Sequence, residues 1–139
     1  MIIDGTDLIL GRLAAYAAKI ALEGDSVIVV NCEKVVITGN KKLLIDQFIE
    51  KQHMGHAYKG PFFPKMPDRI VKRTIRGMLP YKQERGSKAY KRIKCFIGLP
   101  ESYKNQKLES VKGADYSKLK TLNFITVNDL SKSVGKGIA

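Results

Sequence analysis

Hydrophobic and polar positions along this chain fall into blocks whose period changes, and each change marks an element. Residues 1–3 form a short apolar run closed by Asp4-Gly5, the pattern of a buried strand and a turn. Leu10–Glu23 is rich in alanine and leucine and stops at Gly24. Within it Leu13, Ala17, Ile20 and Ala21 recur at helical spacing, so one face is expected to be buried. Val27–Val30 is a continuous β-branched run, which suits a strand covered on both faces. A second short run at 35–37 is closed by Thr38-Gly39-Asn40, and a second helix follows from Lys41 to about His53. Leu44, Ile45, Phe48 and Ile49 make its apolar stripe.

Residues 54–67 break this regularity. MGHAYKGPFFPKMP fits neither period, so it reads as a long irregular loop, and loops of that length usually carry function or are disordered. Phe62 and Phe63 between prolines argue for order. Pro67-Asp68 is a good helix start and Pro80 a good stop. Between them Arg69, Lys72, Arg73 and Arg76 fall at i, i+3, i+4, i+7, on one arc of about 100°. Val71, Ile75, Met78 and Leu79 fall opposite them. Gly77, Met78 and Leu79 are expected to anchor this helix to the sheet. Ser87 is a candidate cap for another helix, on which Lys88, Lys91 and Arg92 share a face.

Residues 93–97 read as a further strand ended by Gly98. Residues 99–122 are polar and lysine-rich, and are expected to form an extended arm or surface loop. Phe124–Thr126 reads as a last strand. Thr126-Val127-Asn128-Asp129 resembles a capping box before a short helix ending at Gly135, and the tail KGIA is expected to fray. The order β, α, β, short β, α, loop, α, α, β predicts an α/β fold with a parallel sheet and helices on both faces. The length fits one domain over residues 1–139, with 99–139 as arm and C-terminal helix.

Charge sharpens this picture because it is unevenly placed. The formal net charge is +12, and residues 58–94 hold twelve bases against two acids, Asp68 and Glu84. Such concentration points to a polyanion as partner. Solvated helix faces usually mix signs, because like charges four apart destabilise by a few tenths of a kcal/mol. Four stacked cations with no carboxylate therefore point to phosphate. The loop adds His56, Tyr58, Lys59 and Lys65, aromatic rings interleaved with cations, on which splayed RNA bases can stack.

Other chemistries find little support. Gly5 and Gly11 lack the dinucleotide-binding spacing, and Val134-Gly135-Lys136-Gly137 lacks half of a phosphate loop. His53, His56, Cys32 and Cys95 match no zinc pattern. The two cysteines sit in apolar runs and read as buried small hydrophobes in a reducing compartment. No nucleophile–base or paired-carboxylate set converges. No apolar stretch approaches the ~20 residues that span a bilayer, and no leader pattern opens the chain, so a cytosolic protein is expected.

The stretch Ile75-Arg76-Gly77-Met78-Leu79-Pro80, then Gly86, then Ile93-Lys94 and Phe96-Ile97-Gly98, resembles the signature of the ribosomal protein L-thirteen family of the large subunit. LGRLAAYAAKIALEG, VVNCEKVVITGNK, PDRIVKRTIRGMLPYK and FIGLPESY extend the resemblance over roughly residues 1–103. The middle segment is more similar to the archaeal and eukaryotic branch than to the bacterial one. Ser87 and Cys95 depart from the family pattern. The resemblance implies a three-layer α/β/α domain with a small, mostly parallel four-stranded sheet. It implies binding to large-subunit ribosomal RNA beside neighbouring ribosomal proteins, a role in subunit assembly and translation on cytoplasmic ribosomes, and no catalysis, cofactor, small-molecule substrate or membrane. Its RNA-facing positions carry over to Arg69, Lys72, Arg73, Arg76, Lys82, Arg85, Lys88, Lys91 and Arg92.

Two rivals stand beside this reading. An RNA-modifying enzyme would need an open, polar pocket at the sheet's carboxyl edge. A protein-interaction module would dock the basic face on an acidic partner.

Overall fold

Three short strands lie parallel in the order β1 (Ile2–Asp4), β2 (Val27–Val30), β4 (Ile93–Cys95) in a computed structural model that describes residues 1–135. Ile3 pairs with Val29, and Val29 with Cys95. The two remaining strands, β3 (Val36–Thr38) and β5 (Phe124–Thr126), form a separate antiparallel pair. The architecture is the expected α/β one, small and mostly parallel in its main sheet, and it agrees with three layers. The expected four-strand sheet is instead three strands plus a one-residue bridge, in which Glu109 bonds to both Ile2 and Asp4.

The helices follow the hydrophobic pattern closely. α1 (Leu10–Glu23) buries Leu13, Ala17, Ile20 and Ala21, as its spacing predicts. It packs against α3 (Pro67–Gly77) and α4 (Glu84–Lys91). Val27, Val29 and Ile93, fully buried with these helices, belong to the same core cluster. Burial of one such side chain is worth about 1.5–3 kcal/mol, so this cluster sets where α3 must lie.

α2 (Lys41–His53) forms where expected, started by the Asn40 side chain, which accepts from the amides of Lys42 and Leu43. Its apolar stripe is only half covered, and no residue of α2 is buried. α5 (Val127–Ser133) begins at Thr126, whose hydroxyl accepts from the Asp129 amide at 3.1 Å, the first half of the expected capping box. Lys136–Ala139, expected to fray, lie outside the described residues, as does the second half of the 134–137 segment.

Residues 99–122 differ from the expected extended arm. Val111 and Ala114 are buried in the core, Ala114 accepts from the Ile9 amide at 2.8 Å, and the Arg12 guanidinium donates to the Gly113 carbonyl. A few small apolar residues among lysines suffice to strap this segment onto α1, although they create no period. No helix among the described residues is long and apolar enough to cross a membrane.

Candidate nucleic-acid interface

α3 is positioned by its inner face. Ile70, Val71 and Ile75 are buried, and Pro67 opens the helix with its missing amide at a position that needs none. The outer face then carries Arg69, exposed, with Lys72, Arg73 and Arg76, each half-buried. The last three each lie over an aromatic ring. The Lys72 ammonium is 5.0 Å from the Tyr90 ring centre, the Arg73 guanidinium 5.7 Å from Phe63, and that of Arg76 4.6 Å from Tyr81. Such contacts contribute about 0.5–1 kcal/mol at exposed sites, enough to offset the repulsion between cations one turn apart.

The rings fix the cations without neutralising them. Among the described residues only two ion pairs form, Lys88–Glu84 at 2.6 Å and Lys104–Glu101 at 3.7 Å, and neither involves α3. Asp68, in the first turn, has a buried oxygen without a partner. Among the described residues it makes no ion pair with the outer cations.

The corner between α3 and α4 differs from expectation. Leu79 is buried and anchors it, but Gly77 is exposed and Met78 is 42% exposed. The helix ends at Gly77, so the helical wheel no longer governs Met78. α4 starts at Glu84 rather than at Ser87, which lies inside it; Gln83 occupies the cap position. The tightness of the corner comes from Gly86, where an added Cβ would lie 2.0 Å from the Pro80 carbonyl oxygen. Lys82, Arg85 and Lys91 are exposed on this extension. Lys88 is paired with Glu84. Arg92 donates to the Ala21 carbonyl at 3.1 Å and so ties α4 to the end of α1.

The loop before α3 is built at both ends. At its tip His56 and Gly60 exchange two backbone hydrogen bonds, and the Tyr58 amide donates to His56 Nδ1 at 3.2 Å. Tyr58 is 89% exposed, with Lys59 beside it. At its base the fully buried Ser131 of α5 donates its hydroxyl to the Lys65 carbonyl at 2.5 Å. Between loop, α3 and α4 lies a cleft of about 690 Å³. Lys65, Arg69, Lys72 and Arg73 stand around it, over a floor that includes Phe63 and Tyr90. His56, Tyr58 and Lys59 lie away from this cleft, at the loop tip. Tyr81 and Tyr90, the ring partners of α3, escaped sequence reading, because only the folded corner brings them under Arg76 and Lys72.

The carboxyl edge of the parallel sheet is filled. One oxygen of Asp4 accepts from the Thr6 amide, the Thr6 hydroxyl and the Asn31 side chain, at 3.0, 2.7 and 2.9 Å. Burial alone would raise this carboxyl's pKa, but these hydrogen bonds and Lys34 outweigh it and hold it below the ordinary value. A Cβ on Gly5 would meet Val35 at 2.8 Å, and Glu33 accepts from the Gly98 amide across the same edge. The Cys32 thiol is pushed far up by its hydrogen bond with Cys95 and by burial, so it stays protonated and a poor nucleophile. Among the described residues no three His, Cys, Asp or Glu side chains group as metal ligands.

A small α/β scaffold with a closed edge and one cationic helix is a platform, with its chemistry on its surface. A model of the family described as Ribosomal protein L13 matches residues 1–102, and the chain belongs to that family. It is similar to the large ribosomal subunit protein uL13 of Methanococcoides burtonii, 42% identical over 96% of both chains. The uL13 of Archaeoglobus fulgidus is 43% identical, over 96% of this chain and 86% of its own. That of Methanosarcina barkeri is 43% identical over 96% of both. The likeness thus runs past residue 103, where the family resemblance in the sequence faded. The chain is a structural protein of the large ribosomal subunit and works in translation, not as an enzyme.

Proposed function

We propose that this protein binds large-subunit ribosomal RNA through one surface made of the 54–66 loop, α3 and the corner leading into α4, and that this contact supports subunit assembly in cytoplasmic ribosomes. The observation that carries the proposal is the outer face of α3, where four cations stand without a carboxylate partner and three are held in place by rings. Fixed, unneutralised cations suit a phosphate backbone, with arginine making forked contacts and lysine point contacts. Lys82, Arg85 and Lys91 continue the surface, and His56, Tyr58 and Lys59 reach out from the loop tip. Lys88 and Arg92 are engaged within the protein and contribute less. Neighbouring ribosomal proteins meet the remaining surface, and residues 1–139 act as one domain in this role.

Binding to large-subunit RNA, titrated across salt concentrations, tests the proposal. Replacing Arg73 and Arg76 by alanine is expected to weaken binding and to flatten its salt dependence by roughly one unit of slope per lost phosphate contact. An unchanged slope would mean that another surface meets the RNA.

A further inference from the structure

The cleft between the loop, α3 and α4 has a composition that phosphate binding alone does not explain. Its floor combines Phe63, Pro64, Met66 and Tyr90, and Phe62 stands at its mouth, 67% exposed. Four cations surround that floor and no acid lines it. A ligand matched to it carries negative charge and also presents a flat apolar face. We propose that this cleft receives a single unpaired nucleotide of the RNA, its base against the aromatic floor and its flanking phosphates on Arg69 and Lys65. The inference rests on the RNA-binding reading and specifies what that surface recognises.

Three features favour an extruded nucleotide over a duplex or an acidic peptide. A duplex keeps its base faces inside the stack, so it can offer the floor no ring face, whereas every splayed base has one. The volume, about 690 Å³, lies within the range of pockets that enclose small ligands. Lys72 lies over the Tyr90 ring and Arg73 over that of Phe63, so an entering base takes the Tyr90 face as the flexible Lys72 side chain turns to a phosphate, and stacks beside the Arg73 guanidinium. An acidic peptide would use the cations and leave the floor unmatched. The cleft is also held open by distant structure, since buried Ser131 pins the Lys65 carbonyl and Ile70 fixes the helix that forms the opposite wall.

The test uses the full chain and a single-stranded RNA hexamer carrying 2-aminopurine, whose fluorescence falls when the base stacks. The expected result is quenching by the protein, with no quenching when the hexamer is paired to its complement. Tyr90→Leu and Phe62→Ala are each expected to weaken hexamer binding about tenfold, within the range for one lost base–aromatic stack. Phe62 is mostly exposed, so its replacement leaves the fold intact even if Tyr90→Leu does not. Equal quenching and affinity in wild type and Phe62→Ala would overturn the nucleotide site; a salt slope still sensitive to Arg73 and Arg76 would then leave the RNA-binding surface standing. Displacement of the hexamer by poly-glutamate as readily as by poly-uridine would overturn it too, because the cleft would then read charge alone. A hexamer affinity indifferent to salt would instead remove the cationic surface on which the inference rests.

Discussion

α2 and α3 flank the same loop, α2 with more apolar residues and α3 with fewer gathered sharply on one face, and they end up in opposite situations. α3 buries Ile70, Val71 and Ile75 completely, while α2 buries nothing and leaves Leu43 more than half exposed. Their outer faces differ as well. α2 mixes Lys41, Lys42 and Lys51 with Asp46 and Glu50, whereas α3 sets four cations together. The core holds α3 firmly enough that its solvent side can carry mutually repelling charges. α2 has a smaller reserve, a half-covered stripe with Phe48 against the core, so its stability leans more on a good cap and mixed charges.

The contrast can be broken most decisively from inside. Ile75→Ala is expected to destabilise the protein by about 2–5 kcal/mol in chemical denaturation, as for a fully buried aliphatic residue, while Ile49→Ala on α2 is expected to fall well below that range. Comparable values would mean that α2 is packed as tightly as α3. At the corner, Gly86→Ala forces a methyl group against the Pro80 carbonyl and should remove about 1–3 kcal/mol. A neutral result in thermal unfolding would show that α4 shifts freely relative to α3.

Smaller effects sharpen the same comparison. Asn40→Ala removes the cap of α2 and is expected to remove about 1 kcal/mol, read most directly as faster amide exchange confined to that helix. Protection lost in α3 as well would show that the helices melt as one unit. Lys88→Ala breaks an exposed pair with Glu84 and should change stability by about 0.3–0.5 kcal/mol, a difference that high salt erases. The Asp4 carboxyl adds a pH arm. Its folded pKa lies below the unfolded value, so its contribution is present above the unfolded pKa and fades as pH falls through the folded one. Asp4→Asn should therefore flatten the acid side of a stability–pH curve.

The helix boundaries of α1, α2 and α5 were legible because local rules set them: alanine-rich runs, an Asn or Thr cap, a terminal glycine. The uniform sign of α3 was legible too, since i, i+3, i+4 spacing needs no knowledge of neighbours. What the sequence could not tell was which face another element covers. The stripe of Leu44, Ile45, Phe48 and Ile49 names a shared face but not its partner. The same limit hid Tyr81 and Tyr90 as ring partners, left Met78 assigned to the core, and concealed Val111 and Ala114 within a lysine-rich segment. Tyr90, Val111 and Ala114 depend on contacts between residues far apart in the chain, while Tyr81 and Met78 depend on where α3 ends and how the corner turns.

A further long-range contact has a consequence for timing. The hydroxyl that secures the loop base belongs to Ser131, sixty-six positions after Lys65. A growing chain therefore exposes its arginine-rich helix well before the residue that clamps the adjoining loop has been synthesised. Mature recognition geometry arrives late in biosynthesis, so any nascent fragment ending short of α5 would meet nucleic acid with charge alone and without its finished shape.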